Sequence, residues 1–180
     1  MESQTDTPQP ALPTSPEALL EQLAAWNIDQ TTHHHEPVFT VEEAKELRGQ
    51  LPGGHCKSLF LRNKKGAMWL VVCSEDRTVD LKALGRRLEG GRLSFGSADR
   101  LRDVLGVLPG SVTPFALIND RDLRVTPVLD KAMLEESQLN YHPLVNTMTT
   151  TIDSADLVRF IEACGHTPLI LDLDDGGDDH

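Results

Sequence analysis

Lys57 opens an apolar run, Lys57-Ser58-Leu59-Phe60-Leu61, just after Gly53-Gly54. A charge at that place has two readings: a strand-end lysine snorkelling to solvent, or an ammonium group held for a task. Gly110-Ser111-Val112-Thr113-Pro114 is similarly open. It is either a plain turn or a ring of backbone N–H groups aimed at a carbonyl or phosphate. Asn140-Tyr141-His142-Pro143-Leu144-Val145-Asn146-Thr147 sets His142 and Asn146 four apart, each able to hydrogen-bond a sugar hydroxyl or carbonyl. His33-His34-His35-Glu36 invites a metal, but alternate strand side chains point to opposite faces, so only His33 and His35 could share an ion. A tetrahedral site needs further ligands, and the scattered cysteines supply no matching pair. These histidines are expected to be ordinary strand-edge residues, with no metal and no other cofactor. Cys56 beside Lys57 suggests an activated thiolate only if both share a face. On a strand they do not, so Cys56, Ser58 and Phe60 are expected to pack on one side and Lys57, Leu59 and Leu61 to line the other. Nucleophile-elbow, phosphate-loop and zinc-protease signatures do not occur.

The elements that must position these groups follow from spacing. Thr14 and Glu17 have capping-box spacing ahead of Leu19, Leu20, Leu23 and Trp26, which predicts a helix with Pro16 in its first turn. Thr40-Val41-Glu42-Glu43 opens a second helix ending near Gly49. Cys56–Leu61 and Ala67–Cys73 predict a hairpin across Arg62-Asn63-Lys64-Lys65-Gly66. A helix follows over Thr78–Leu88, a short strand over Arg92–Phe95, and a helix capped by Ser97 and stopped by Gly106. Phe115–Ile118 is an apolar run, Asn119-Asp120 marks a turn, and Val125–Leu129 is read as the returning strand. Tyr141–Thr151 mixes turn and strand signals. Ser154–Cys164 is an amphipathic helix ended by Gly165, and Pro168–Leu173 makes a last strand. Hairpin-length links among interleaved helices and strands predict a mixed α/β fold, not a doubly wound parallel sheet.

Composition sets the outer bounds. A chain of 180 residues predicts one domain with frayed ends: a leader over 1–13, a domain over 14–173 and an acidic tail over 174–180. At this size a fold buries roughly 70% of its unfolded surface and needs no staple. Three cysteines, odd in number and scattered, predict no disulfide framework and a reducing, cytoplasmic setting. Nothing marks a secretory start or a membrane span. Seventeen Lys and Arg against 28 Asp and Glu give a net charge of −11, which excludes a general nucleic-acid coat or an anionic-membrane binder. It leaves room for a protein that grips one nucleotide end in a local site.

The ordered set of Lys57–Leu61 with Lys64-Lys65-Gly66, then Gly110–Pro114, then His142–Thr147, resembles the YbaK/prolyl-tRNA-synthetase editing-domain family of aminoacyl-tRNA deacylases. The likeness is closest to the free-standing branch called PrdX or ProXp-ala and runs from about Pro16 to Leu173. His35-Glu36-Pro37-Val38-Phe39-Thr40, followed by Val41-Glu42-Glu43-Ala44, is similar to that family's entry into its second helix. The resemblance implies a single YbaK-like domain, with a strongly curved mixed sheet surrounded by helices. It implies hydrolysis of the ester joining a wrong amino acid to tRNA, here alanine on proline tRNA, without metal or covalent nucleophile. Prolyl-tRNA synthetase is a second partner it suggests. Under that reading Lys57 takes the terminal phosphate or adenosine end, and the N–H groups of Gly110 and Ser111 hold the carbonyl oxygen. Val112, Thr113 and Pro114 complete the binding loop, while His142 and Asn146 line the pocket or fix the terminal ribose. Two alternatives stand beside it: a non-catalytic adaptor of the same fold that binds tRNA ends or a synthetase, and a deacylase for Cys or Ser.

Overall fold

The computed structural model describes residues 13–36, 46, 51 and 53–173. Helix α1 (Pro16–Ala25) is capped by Ser15, whose hydroxyl accepts the Ala18 N–H at 3.0 Å. The cap thus sits one residue after Thr14, whose hydroxyl donates instead to Asn119 Oδ1 at 2.6 Å. The helix expected over 40–49 lies, apart from Glu46, outside the described residues, as do the leader to residue 12 and the tail from residue 174.

Eight strands form one mixed sheet: β1 (Gln30–His34), β2 (Gly54–Arg62), β3 (Met68–Ser74), β4 (Ser94–Phe95), β5 (Val125–Asp130), β6 (Gln138–Tyr141), β7 (Met148–Asp153) and β8 (Leu169–Leu171). The order is β1-β7-β6-β2-β3-β5-β8, with β4 paired to β2 off this path. β2–β6, β3–β5 and β5–β8 are parallel and the other pairs antiparallel. The hairpin forms as expected, with Lys57 opposite Cys73 and Leu61 opposite Trp69. Asn63 shapes its turn, its Oδ1 accepting the N–H groups of Lys65 and Ala67.

Two expectations are corrected. Phe115–Ile118 belongs to a 3-10 helix over Pro114–Asn119, not to a strand. Pro114 presets φ at its start, and Thr113 Oγ1 accepts the Phe115 N–H at 3.2 Å, so local capping overrides an apolar run too short to decide its own state. Val125–Leu129, extended to Asp130, therefore returns to no such strand; it joins β3 in parallel, Met68 facing Val125.

Alternation divides the sheet into two faces. On one, Phe60, Leu70, Val72, Leu129, Leu139, Tyr141 and Ile152 pack with α1, α3 (Ala98–Leu105) and α4 (Ser154–Ala163). On the other, Leu61, Trp69, Val71 and Val128 meet Leu84 of α2 (Leu81–Arg87) and Leu93. This second core covers only the β2-β3-β5 half. Where the same face continues across β6, β7 and β1, the side chains become polar: Asn140, Thr151, Thr149 and His33.

Candidate active site

The change from apolar to polar on that face coincides with Lys57. Lys57 shares its side of β2 with Leu59 and Leu61, while Cys56 and Phe60 pack against the opposite core, as the alternation predicts. The β2–β6 ladder pairs Gly54 with Leu139 and His55 with Asn140, then stops. Continued by two residues, that register sets Lys57 level with His142, where the two strands part and a polar notch opens in the sheet.

The walls of the notch are held by side-chain hydrogen bonds. Asn140, buried, donates from Nδ2 to the Gly54 carbonyl at 3.1 Å and accepts the Thr151 hydroxyl on Oδ1 at 2.5 Å, so it bridges three strands. His142 donates from Nδ1 to the Met148 carbonyl at 3.0 Å. A carbonyl only accepts, so the tautomer follows from the network, and neutral His142 keeps a lone pair on Nε2. Burial depresses its pKa below the ordinary 6.5, against the opposing pull of the Met148 carbonyl. The His35 ring lies 6.5 Å away, donating to the Glu36 carbonyl at 2.8 Å and accepting the Thr149 hydroxyl on Nε2 at 2.7 Å. Both rings are thus fixed in orientation. Among the described residues no group of three His, Cys, Asp or Glu is placed to hold a metal ion.

On its other side Lys57 faces Cys73. Burial raises that thiol to about 11, and the neighbouring ammonium of Lys57 only partly offsets the effect. Asp130, fully buried, binds Arg77 Nε through Oδ2 at 2.5 Å, and both of these charges also act on Cys73. Cys56, on the opposite face, is pushed to about 12 by burial. Neither thiol supplies a nucleophile near neutral pH.

The loop behaves differently from its expected role. Ser111 donates its N–H to the Leu108 carbonyl at 2.9 Å, which closes a turn with Pro109 at its second position and Gly110, at φ +92°, at its third. The Ser111 amide is spent inside that turn and is not presented to a ligand. The Gly110 N–H makes no hydrogen bond among the described residues. Thr113 and Pro114 are buried, and partly buried Val112 packs against the first core, so these three side chains hold the loop in shape. Gly110 is exposed, and a Cβ built on it would lie 3.7 Å from Asn146 Nδ2. The fold therefore does bring the second and third motifs together.

The polar notch on a mixed sheet gives the chain's comparison with known proteins its meaning. A family model described as "Aminoacyl-tRNA editing domain" matches residues 35–160. This chain belongs to the aminoacyl-tRNA editing domain family. It is 40% identical over 158 residues to "Prolyl-tRNA synthetase associated domain-containing protein 1" of Danio rerio, covering 87% of this chain and 86% of the relative. It is 34% identical over 158 residues to "Prolyl-tRNA editing protein ProX" of Acetoanaerobium sticklandii, covering 87% and 96%. A solved structure described as a "putative trans-editing enzyme for prolyl tRNA synthetase" superposes with a TM-score of 0.68 at 20% identity, covering 89% of this chain and 98% of that one, a likeness of fold.

Within this editing domain, the sequence pointed to Lys57, Gly110, His142 and Asn146 but not to Asn140, Thr149 or Thr151. Asn140 was visible only as the i−2 neighbour of His142, which places it on the same strand face. Its partners Gly54 and Thr151 come from other strands. His55, paired directly with Asn140, was also missed: its Nε2 is buried without a hydrogen-bond partner among the described residues.

Proposed function

We propose that this chain is a free-standing deacylase that hydrolyses alanine from mischarged proline tRNA. Membership in the editing-domain family carries the reading, and the two high-pKa thiols flanking Lys57 support a mechanism that uses water and no protein nucleophile. An aminoacyl ester is already activated, so the site has mainly to orient the reactants and stabilise charge, which is worth several kcal/mol without covalent catalysis.

Lys57 receives the anionic 3′ end of the tRNA as a compact point charge. The Gly110 N–H, with the Asn146 amide beside it, takes the ester carbonyl oxygen as it gains negative charge. Water adds to the carbonyl carbon, the bond from that carbon to the ribose oxygen breaks, and the ribose oxygen regains a proton. Alanine leaves as its carboxylate. Neutral His142, its Nδ1–H tied to Met148, accepts from a ribose hydroxyl or the attacking water at Nε2. Asn140 and Thr149 position this machinery without touching substrate.

The selectivity has a plain cause. A synthetase pocket shaped for proline rejects smaller alanine weakly, since missing methylenes are worth only about 1–3 kcal/mol. A second site that admits alanine and excludes the proline ring completes the discrimination, in the compartment where tRNA is charged. The deciding experiment is a deacylation panel with Ala-, Cys-, Ser- and Pro-tRNA. Fast loss of Ala-tRNA with Pro-tRNA spared is expected. Binding of Ala-tRNA with no shortening of its lifetime would identify an adaptor instead.

A further inference from the structure

We infer that His55 is a further substrate-binding residue of the notch, its ring nitrogen Nε2 taking the α-amino group of the esterified amino acid. The inference rests on the reading of the notch as a deacylase site and adds the group that recognises the amino acid's own polar end. The position follows from the ladders. His55 shares its face of β2 with Lys57, two residues further on. It is the last β2 residue paired with β6, opposite Asn140, so it stands where the two strands begin to part. On its other side the Glu75 N–H donates to the His55 carbonyl at 2.9 Å, which carries the β2–β3 pairing one step past Ser74. A strand on either side holds His55 beside the opening.

The chemistry follows from an unfilled bond. Nε2 of His55 is buried, yet it makes no hydrogen bond among the described residues. Asn140, directly across, is already committed: its Nδ2 donates to the Gly54 carbonyl and its Oδ1 accepts the Thr151 hydroxyl. Buried polar atoms in native folds are nearly all hydrogen-bonded, so one without a partner beside a binding site points to a ligand that completes it. An apolar side chain at this position would carry no such cost.

The substrate has a matching vacancy. In the mechanism above, Lys57 takes the anionic 3′ end, Gly110 and Asn146 the ester carbonyl, and His142 a ribose hydroxyl or the attacking water. The α-amino group of the amino acid is left without a protein partner. With its proton on Nδ1, a neutral imidazole presents a lone pair at Nε2, which accepts an N–H from an amine or an ammonium. Rotation about the side-chain bonds of His55 turns Nε2 into the notch as the amine arrives. The carboxylate of Glu75 acts across this part of the sheet, since its charge is felt at Cys56, and a negative group there favours a cationic amine. His55 and Lys57 lie about 7 Å apart at strand rise, so one strand face holds the amino end and the phosphate end of the substrate separately. Attachment at the amine, the carbonyl and the phosphate fixes the ester at three points.

The test uses two 3′ esters of proline tRNA, alanyl and propionyl, which differ only in the α-amino group. Wild type, His55→Ala and His55→Gln are compared on both, with each rate corrected for spontaneous hydrolysis and each protein checked by thermal melting. One hydrogen bond to substrate is worth about tenfold in kcat/KM, so wild type should favour the alanyl ester by about that factor. His55→Ala should lose the preference by slowing on Ala-tRNA alone, and His55→Gln, which keeps an acceptor, should retain part of it. Equal losses on both esters would make His55 a structural residue and overturn the assignment. Unchanged turnover of Ala-tRNA by His55→Ala would do the same, as would a wild type that accelerates both esters alike. If His55→Ala does not fold, the wild-type preference and its reduction in His55→Gln decide the matter. A protein that cuts no ester removes the deacylase reading, and binding of 3′-alanylamino-3′-deoxyadenosine against its propionylamino counterpart then decides for His55. Tighter binding of the alanyl amide that weakens in His55→Gln upholds the contact, and equal binding of the two amides by wild type overturns it.

Discussion

Lys57 stands inside β2 on the side where Leu59 and Leu61 pack, at a position where a leucine would be buried equally well, so its charge there calls for a task. Removing its charge-assisted contact to substrate is worth on the order of 1.5–3 kcal/mol, so Lys57→Ala should lower kcat/KM more than tenfold with the melting temperature kept. Near-wild-type turnover in a folded variant would take Lys57 out of the mechanism. His142 makes a pH prediction whose sign follows from its depressed pKa. A free histidine is half protonated at 6.5, and the folded protein protonates this one only at lower pH. Deacylation should therefore fall off at a more acid pH than the titration of a free histidine, while stability begins to fall as the pH drops through 6.5, where the unfolded chain binds the extra proton. His142→Gln, which cannot titrate, should flatten that acid limb in a pH–rate profile.

At the scale of elements, the Leu108–Ser111 turn and the Asp120 corner decide whether the site keeps its shape. Gly110 needs φ +92°, which costs an L-residue roughly 1–2 kcal/mol, although space for a methyl exists beside Asn146. Gly110→Ala should slow hydrolysis severalfold through a shifted turn. Gly110→Asn, a residue that tolerates positive φ, should retain more activity; equal rates for wild type and Gly110→Ala would reduce the loop to a plain turn. Asp120 is buried, accepts the N–H groups of Arg124 and Val125 at 3.0 and 2.8 Å, and pairs with buried His166 at 2.9 Å. It thereby ties the 3-10 helix, the start of β5 and the end of α4 together. Asp120→Ala strands all three partners, so a loss of about 3 kcal/mol or more is expected in chemical denaturation.

For the whole molecule, the two-faced sheet sets the order of opening. β3 is buried from Met68 to Cys73 and hydrogen-bonded on both edges, whereas β1 and β8 end the sheet. Amide exchange should be slowest in β3 and the adjoining stretches of β2 and β5, and fastest in β1 and β8. Faster exchange in β3 than in β1 would contradict a single cooperative core. The site lies between these regimes, with Lys57 on the protected strand and His142 just past the end of β6. Its cation is thus rigidly carried, while its histidine depends on the Met148 carbonyl for orientation.

What the sequence determined by itself is what nearest neighbours control. Ser97 and Gly106 cap α3 as expected, with Gly106 at φ +67°. The β2–β3 hairpin lies where its polar turn and β-rich flanks put it, and the two-residue period placed Lys57 opposite to Cys56 before any partner strand was known. Tertiary structure alone decided the rest, because the deciding partners are remote in the chain. Val125–Asp130 looks the same locally whether it pairs in a hairpin or in parallel with β3. Ser111 offers a free amide on paper and spends it on Leu108 only once Gly110 turns the chain back. Asn140 becomes a wall of the site because Gly54, 86 residues away, and Thr151 converge on its amide. Alternation and caps are short-range, whereas a catalytic notch is a convergence of strands that only the closed sheet can bring about.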